Sequence, residues 1–395
     1  MATIEQKYQK LSGVEHILKR PGMYIGGVDI IEDNMFIYED NKIIEKQISY
    51  VPGLYKLFDE AIVNVADAQT KDNTINTVKV NFDKTKNKFT IFNNGQGIPV
   101  VMHKKEKMYV PELIFSELLS SSTFEDDTRI TGGLHGLGIK LSAIFSTEFK
   151  VDIGDSKNKK QFQQTYKKNL SIKSNPIIGS YNKPDGYVKL TFIPDMKYFK
   201  LNELSNDFYA LLKRRVYDLA MLLGKSVKTY VDDERIPIKN IIDYVDMYTQ
   251  NDKVICDCNS ERWKIVITQS NGKYKQMSFV NSINTNNGGK HVDYILFQLL
   301  NLLKNKIKSK YKEIDMKDQL IKDQMFIFIV STIENPSFDS QTKERLITTS
   351  NNFGSICDIS KNVTLIKKLF DLLNIDELVQ MHIKMMENNA LSKLS

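Results

Sequence analysis

The feature that most constrains this chain is a glycine-rich stretch that leads into an apolar segment. Four glycines fall within residues 131–140, which read TGGLHGLGIK, and the apolar residues LSAIFS follow. This pattern predicts a flexible loop entering a helix, where bare amides can hold phosphate groups. The Gly-Lys-Ser/Thr ending of a Walker A loop is missing, and the glycine order differs from the GxGxxG of dinucleotide folds. The loop therefore indicates phosphate binding of another kind.

A polar stripe runs along the first strongly periodic segment. The apolar spacing over residues 50–69 predicts a helix entered through Pro52. Glu60, Asn64 and Asp67 lie four and three residues apart, so they share one helical face. A carboxylate can accept a proton and an amide oxygen can bind a hard cation. On these residues alone, a solvated face of a surface helix remains the alternative.

A second polar motif follows an alternating apolar stretch. Residues 78–91 predict a β-hairpin, which ends at the sequence NNGQGIP, residues 93–99. Its two glycines let the backbone approach a flat ligand while the Asn93 amide hydrogen-bonds the ligand edge. An ordinary turn is the alternative for this motif alone.

Length and pattern predict two α+β domains. The chain has 395 residues, of which 41% are hydrophobic and 26% charged, as in folded globular proteins. Strands are predicted over residues 149–153 and 187–193 and a long helix over 202–224. A second unit is predicted to hold strands over 263–283, a helix over 292–312 and a buried strand from Met325.

Charge, cysteines and hydropathy narrow the class of protein. The net charge of +7 permits a polyanionic partner without requiring one. The three cysteines are too few for a disulfide framework and lack zinc-site spacing, which indicates a reducing compartment and makes Cys256 and Cys258 ordinary small residues. The longest apolar runs fall far short of a membrane span, so no membrane partner is expected.

The three motifs together, in this order, resemble the Bergerat nucleotide-binding fold of type II topoisomerases, mismatch-repair clamps, histidine kinases and heat-shock chaperones. Longer segments are similar to eukaryotic-type DNA topoisomerase II: RPGMYIGG, YVPGLYKLFDEAIVNVADAQ, FNNGQGIPV, TGGLHGLGIKLSAIFSTEF, FVNSINTNNGGKHVDY and IENPSFDSQTKE. The last segment carries the Gln-Thr-Lys loop of the family's transducer domain.

The resemblance implies a fold and a domain order. Residues 1–240 would form a Bergerat-fold (GHKL) ATPase domain with an N-terminal dimerisation strap. Residues 241–395 would form a ribosomal-protein-S5-like transducer domain that carries the Gln-Thr-Lys loop. The overall class is α+β.

The resemblance also implies roles for single residues. Glu60 would be the general base for ATP hydrolysis, assisted by Lys343, and Asn64 would bind Mg²⁺. Nucleotide contacts would come from Tyr8, Asn64, Asn93, Ser121, Ser122, Thr123, Gly133, Leu134, His135, Gly136, Leu137, Gly138, Ile139, Lys140, Gln341, Thr342 and Lys343. Thr123 and His135 stand where relatives usually have Asn. Lys308, Lys310 and Lys312 lie where the family has a basic loop able to touch DNA, although a solvated helix end is the alternative.

The implied activity is Mg²⁺-dependent ATP hydrolysis that closes a homodimer around double-stranded DNA. The DNA-cutting module would belong to the remainder of a longer topoisomerase chain, because this sequence has no Arg-Tyr pair of the kind that marks the cleavage tyrosine. The expected location is the nucleus, or a viral factory in the host cytoplasm if the source is a large DNA virus.

Two other functions are compatible with the motifs. One is another GHKL clamp of the mismatch-repair or chaperone type, against which the SFDSQTKE segment argues. The other is a clamp that binds ATP without hydrolysing it, against which Glu60 argues.

Overall fold

The computed structural model describes residues 11–118, 128–133, 136–312, 314–360 and 362–392. These residues form two compact units. The first extends to Tyr248 and the second begins at Thr249, except that the short segment Thr128–Ile130 groups with the second unit.

The first unit combines a large sheet with a layer of helices. The helices are α1 (Gly13–Lys19), α2 (Pro52–Lys71), α3 (Val110–Ser116), α4 (Gly138–Ile144), α5 (Asn206–Leu223) and α6 (Ile241–Asp246). The strands are β1 (Ile31–Glu39), β2 (Lys42–Tyr50), β3 (Thr77–Asp83), β4 (Lys88–Gly95), β5 (Met102–His103), β6 (Met108–Tyr109), β7 (Ser146–Asp155), β8 (Lys160–Lys167), β9 (Ile172–Lys173), β10 (Ile177–Ser180), β11 (Gly186–Pro194), β12 (Lys228–Val231) and β13 (Glu234–Arg235).

The main sheet has the strand order β10-β8-β7-β11-β4-β3-β12-β13, with β9 paired to β8. Its pairs are antiparallel except β12 with β3, which is parallel. On one face the side chains of Val78, Val80, Phe89 and Ile91 are buried. Phe58 of α2 packs on Phe89, with ring centroids 5.9 Å apart. The core therefore lies between α2 and this face of the sheet.

Helix α2 confirms the helix expected over residues 50–69. Pro52 occupies its first turn, where a missing N–H leaves no hydrogen bond unmade. Nearly all of its residues from Gly53 to Ala66 are buried, so its stability comes from packing on the sheet. The predicted hairpin is also confirmed as the antiparallel pair β3–β4.

The first unit continues past the expected domain limit at residue 240. Helix α6 lies beyond that limit, and the Tyr244 hydroxyl donates to Asp218 of α5 at 2.6 Å. Both side chains are buried, so this contact holds α6 in the first unit. The structural boundary thus falls at Tyr248 rather than at residue 240.

The second unit is a five-stranded sheet with helices. Its strands are β14 (Lys253–Ile255), β15 (Trp263–Gln269), β16 (Lys275–Val280), β17 (Ile283–Asn284) and β18 (Met325–Ser331), and its helices are α7 (Lys290–Lys310), α8 (Asp318–Lys322), α9 (Val363–Leu372) and α10 (Ile375–Ser392). The strand order is β14-β15-β18-β16-β17. Strands β16 and β18 are parallel, and α7 lies between them in the chain. Of the helices described, none is long and apolar enough to cross a membrane.

The cysteines lie in the second unit, and two of them form a disulfide. Cys258 is bonded to Cys357, 99 residues further along the chain, with their Cα atoms 5.1 Å apart. Cys258 was expected to be an ordinary small residue, and this bond was not predicted. Cys256 is a buried free thiol, as expected.

Candidate active site

Glu60 is a buried carboxylate at the centre of the candidate site. It lies in α2 with 3% of its surface exposed. The Lys56 ammonium, one helical turn earlier, lies 3.2 Å from its Oε1. On its other side, a Cβ added to Gly138 would collide with Oε2. The glycine-rich loop therefore reaches helix α4 directly against this carboxylate.

A chain of buried charges continues from Lys56. Its Nζ donates to Asp59 at 2.8 Å, and Asp59 accepts from Arg215 of α5 at 2.7 Å. Burial alone disfavours the charged forms, but the opposite charges outweigh it. The carboxylates hold the pKa of Lys56 above its usual value, and Lys56 and Arg215 hold the pKa of Asp59 below its own. Lys56 thus presents a permanent positive charge to Glu60.

Asn64 is exposed although its neighbours in α2 are buried. Its Nδ2 donates to the Glu60 carbonyl at 2.7 Å. Its Oδ1 has no hydrogen-bond partner among the residues that the structure describes. An amide oxygen held in this way fits a hard cation such as Mg²⁺. The described residues contain no cluster of three or more His, Cys, Asp or Glu side chains suited to a metal.

Asp67, the third residue of the polar stripe, holds the glycine-rich loop. Its two carboxylate oxygens accept from the backbone N–H groups of Gly132 at 2.8 Å and Gly133 at 2.9 Å. Asp67 therefore binds the loop, Glu60 is buried, and Asn64 between them is exposed. These contacts of Asp67 do not fit the alternative that Glu60, Asn64 and Asp67 form a solvated face of a surface helix.

Lys140 turns back on its own loop. It is 2% exposed, and its Nζ donates to the carbonyl of Gly136. Burial lowers the pKa of Lys140 to about 8, with the charge of Glu117 opposing this shift. The predicted binding residues Gly136, Leu137, Gly138 and Ile139 lie in the same short segment beside α2.

Asn93 lies in β4 on the face that packs against α2. It follows Phe89 and Ile91 at strand spacing and is 6% exposed. Its Nδ2 donates to the Asn94 carbonyl at 2.9 Å. Asp72, just after α2, accepts from the Gln96 backbone N–H at 2.7 Å. The turn that follows Asn93 is thereby fixed to the end of the helix that carries Glu60.

Several predicted contact residues lie outside the described residues: Tyr8, Ser121, Ser122, Thr123, Leu134 and His135.

Gln341, Thr342 and Lys343 lie in a tight turn of the second unit. The Lys343 N–H donates to the Ser340 carbonyl at 3.1 Å, and its backbone is left-handed with φ 62°. The hydroxyls of Thr342 and Ser340 are 2.8 Å apart. The Lys343 side chain is buried, at 2% exposure, which is uncommon for a lysine.

The lysines at the end of α7 are partly engaged within the second unit. Lys310 lies 2.6 Å from a carboxylate oxygen of Asp376, and Lys308 lies 3.9 Å from Asp315. Lys312 is exposed. These lysines therefore lie at the surface, with Lys310 held by a carboxylate.

Sequence reasoning missed the charges around Glu60, which are Lys56 beside it and Arg215 beside Asp59. Lys56 could have been found, because residues four apart on a helix are neighbours. Arg215 could not, since its contact with Asp59 joins residues 156 positions apart.

Two family models match the chain. One, described as histidine kinase-, DNA gyrase B- and HSP90-like ATPase, matches residues 50–188. The other, described as DNA gyrase B, matches residues 225–372. The first covers α2, Asn93 and the glycine-rich loop.

Curated relatives and solved structures agree with these models. DNA topoisomerase 2 of Arabidopsis thaliana is 41% identical over 91% of this chain and 25% of its own length. DNA topoisomerase 2-alpha of Homo sapiens is 42% identical over 91% of this chain and 24% of its own length. The ATPase region of Saccharomyces cerevisiae topoisomerase II matches with a TM-score of 0.88 and 38% identity, covering 98% of this chain and 100% of that one.

The sheet, the polar stripe of α2 and the glycine-rich loop define an ATPase fold of the GHKL class, followed by a transducer unit. The expected α+β fold is confirmed. The chain belongs to the DNA topoisomerase II family and spans about a quarter of the length of the curated relatives it matches.

Proposed function

We propose that this chain is the ATP-hydrolysing region of a type II topoisomerase, in which Mg²⁺-dependent hydrolysis drives closure of a homodimer around double-stranded DNA. The observation that supports this most is the convergence on Glu60. A buried carboxylate meets the glycine-rich loop at Gly138 and a lysine at 3.2 Å. Such an enzyme would act in the nucleus or in a viral factory.

Glu60 would act as the general base that accepts a proton from the attacking water. Its position suits this role, because the carboxylate is held in place by burial and by the Lys56 ammonium 3.2 Å from Oε1, beside the glycine-rich loop. Asn64 would hold Mg²⁺ through Oδ1, and the cation would neutralise charge on the phosphates.

The glycine-rich loop would hold the triphosphate through its backbone. Asp67 fixes the start of the loop through the amides of Gly132 and Gly133. Residues Gly133 to Lys140 would then wrap the phosphates with little reorganisation. Asn93 would hydrogen-bond the adenine amine, since it projects from the α2-facing side of β4.

The remaining roles follow from the family resemblance. Ser121, Ser122 and Thr123 would contact ribose and phosphate, and Tyr8 would reach the partner subunit's nucleotide. Gln341 and Lys343, with Thr342 between them, would contact the γ-phosphate. That contact exists only while the triphosphate is intact, so hydrolysis would release it. Lys308, Lys310 and Lys312 would contact DNA phosphates.

The test is steady-state phosphate release by the wild-type chain and by Glu60→Gln. We expect Mg²⁺-dependent release in the wild type and a decrease of about a hundred- to ten-thousandfold in the variant, as for loss of a general base. ATP binding, measured by calorimetry, should change little because the amide keeps the size of the carboxylate.

Glu32→Gln, an exposed change in β1 of the same unit, is the matched control and should hydrolyse ATP normally. Turnover by Glu60→Gln within a few-fold of wild type would remove Glu60 from the role of base. ATP binding without any wild-type turnover would favour the non-hydrolysing clamp.

A further inference from the structure

The main sheet of the first unit has a second face, opposite to the one that carries Asn93. Successive strand residues point to opposite faces, so Phe92 and Asn94 point away from α2. In β3 and β4 the burial alternates accordingly, and Val78, Val80, Phe89 and Ile91 are buried on the helix side. The residues between them line a groove of about 660 Å³ on the other side.

Aromatic and lysine side chains alternate across this groove. The strand register places Tyr230 beside Lys79, Lys79 beside Phe92, and Phe92 beside Lys189. Neighbouring strands lie about 4.8 Å apart, so the four side chains form one continuous row. The Lys79 ammonium lies 5.6 Å from the centre of the Tyr230 ring.

A second aromatic ring, that of Tyr187, lies beside Phe92 in the middle of this row of side chains. Tyr187 stacks on Phe92 with ring centroids 5.8 Å apart and an interplanar angle of 25°. Its hydroxyl donates to Asp152 at 2.6 Å and accepts from Gln161 at 2.8 Å. These bonds fix the ring, so the two aromatic side chains form a rigid platform.

Three lysines and two carboxylates line the groove, so the positive charge is in excess. Lys79, Lys183 and Lys189 line it, and none of them forms an ion pair with a described residue. Of the two lining acids, Asp152 keeps its charge, stands opposite Lys189 in the strand register and accepts from Gln161 and Gln163 at 3.1 and 3.0 Å, and Asp185 is exposed at the rim.

Further lysines lie on the same face of the sheet beyond the groove. Lys150 and Lys228 occupy outward positions of neighbouring strands, in register with Thr191 and Thr77. Two carboxylates on this face are paired with lysines, Asp83 with Lys88 at 3.5 Å and Glu148 with Lys167 at 3.7 Å. A polyanion therefore matches this face better than a neutral or cationic partner.

We propose that this groove binds single-stranded nucleic acid. Unpaired bases would stack on the Phe92–Tyr187 platform, and the backbone phosphates would contact Lys79, Lys183 and Lys189. Aromatic side chains flanked by lysines on an open sheet face suit this ligand, because any base can stack and phosphates recur along the strand. A duplex keeps its bases stacked internally and could use only the lysines.

Fluorescence anisotropy with labelled oligothymidylate of about 15 nucleotides tests the proposal, with a duplex of equal length as comparison. The double variant Lys79→Ala/Lys189→Ala should reduce the magnitude of the salt slope by about 1.4, since each single-strand phosphate contact contributes about 0.7. Phe92→Leu/Tyr187→Leu should weaken single-strand binding about tenfold or more without changing the slope.

Lys104→Ala/Lys105→Ala is the matched control, because it removes two exposed lysines from the turn between β5 and β6. Thermal melting checks that the leucine variants fold. Photo-crosslinking of bromodeoxyuridine oligonucleotide to the wild type gives an independent readout, with crosslinks expected in the peptides containing Phe92 and Tyr187.

Crosslinks only elsewhere, or lysine variants that bind like the control, would overturn the proposal. Duplex binding as tight as single-strand binding and insensitive to the leucine changes would identify a duplex site instead. Phosphate release is measured in parallel and should stay normal, since the groove and Glu60 lie on opposite sides of the sheet.

Discussion

Gly138 joins the glycine-rich loop to the proposed base, and any side chain at this position must displace Glu60. A Cβ there would collide with Glu60 Oε2 inside a buried site. We expect Gly138→Ala to slow ATP hydrolysis at least tenfold, since a misplaced base loses its alignment with the attacking water. Single-turnover phosphate release measures the chemical step directly.

Gly22→Ala supplies the control for that substitution. A Cβ at Gly22 meets no atom within 4 Å, so this variant should hydrolyse ATP like the wild type. Normal turnover by Gly138→Ala would mean that Glu60 tolerates displacement, which contradicts a base of fixed geometry.

The charges behind Glu60 illustrate what single residues contribute to the site. Lys56 and Asp59 pair at 2.8 Å, and Arg215 completes the charge balance at 2.7 Å. Removing one member of a buried ion pair leaves an uncompensated charge and destabilises by about 3–5 kcal/mol. The network therefore makes the position of Glu60 depend on helix α5 as well as on its own helix.

At the scale of elements, the sequence predicted most helices and strands of the site but not their contacts. The periodicity of residues 50–69 was sufficient for α2, because packing on one face requires that pattern. The same pattern could not show whether the polar stripe faced water. That answer depends on Asp67 meeting the amides of Gly132 and Gly133, 65 and 66 residues away.

Helix α7 begins with a buried histidine that gives the second unit a dependence on pH. His291 is fully buried, and its Nε2 lies 3.1 Å from the Thr285 hydroxyl. Burial lowers the pKa of His291 to about 3. The folded state therefore keeps a neutral ring, whereas the unfolded chain gains a proton below about pH 6.5. Stability is complete above that pH and decreases as the pH falls toward 3.

From this histidine we expect the second unit to lose about 2 kcal/mol of unfolding free energy between pH 8 and pH 5. His291→Gln keeps a hydrogen-bonding side chain without the titration, so its loss over that range should be smaller by about that amount. Urea unfolding followed by Trp263 fluorescence is the measurement. Trp263 is the chain's one tryptophan and lies in the second unit, so it reports that unit.

His382→Gln, in α10 of the same unit, is the control and should retain the wild-type pH dependence. An equal loss of stability in wild type and His291→Gln would assign the pH dependence to other groups.

The end of α7 carries the proposed DNA contact. Lys310 and Asp376 form an exposed ion pair, and such pairs contribute only about 0–1 kcal/mol, so a phosphate can compete for the lysine. Changing Lys308, Lys310 and Lys312 to Ala should reduce the magnitude of the salt slope of duplex binding by up to about 2.7. DNA stimulation of ATP hydrolysis should weaken, while basal hydrolysis stays normal. Anisotropy and phosphate release measure these effects.

The control for the triple variant is Lys104→Ala/Lys105→Ala/Lys107→Ala, which removes the same charge from a turn of the first unit. If both triple variants show the same slope and the same stimulation, the lysines of α7 serve solubility alone.

At the scale of the whole molecule, the sequence predicted two units but misplaced their limit and missed the disulfide. The boundary between the two units lies beyond residue 240 because the buried Tyr244–Asp218 hydrogen bond holds α6 in the first unit. This contact joins distant residues. The Cys258–Cys357 pair is separated by 99 residues, and no local pattern brings such residues together. Long-range contacts of this kind are decided by tertiary packing.

The proposed γ-phosphate contact predicts that the oligomeric state of the chain depends on which nucleotide is bound. Tyr8 and the turn of Gln341, Thr342 and Lys343 are the residues assigned to sensing an intact triphosphate. A non-hydrolysable ATP analogue should therefore drive the 45.5 kDa chain into dimers, whereas ADP should do so much less. Light scattering with each nucleotide, over a range of protein concentrations, measures the mass.

Lys343→Ala should weaken the response to the analogue, and Lys322→Ala, a change in α8 of the same unit, should leave it intact. Equal masses with analogue and ADP in the wild type would refute gating by the γ-phosphate.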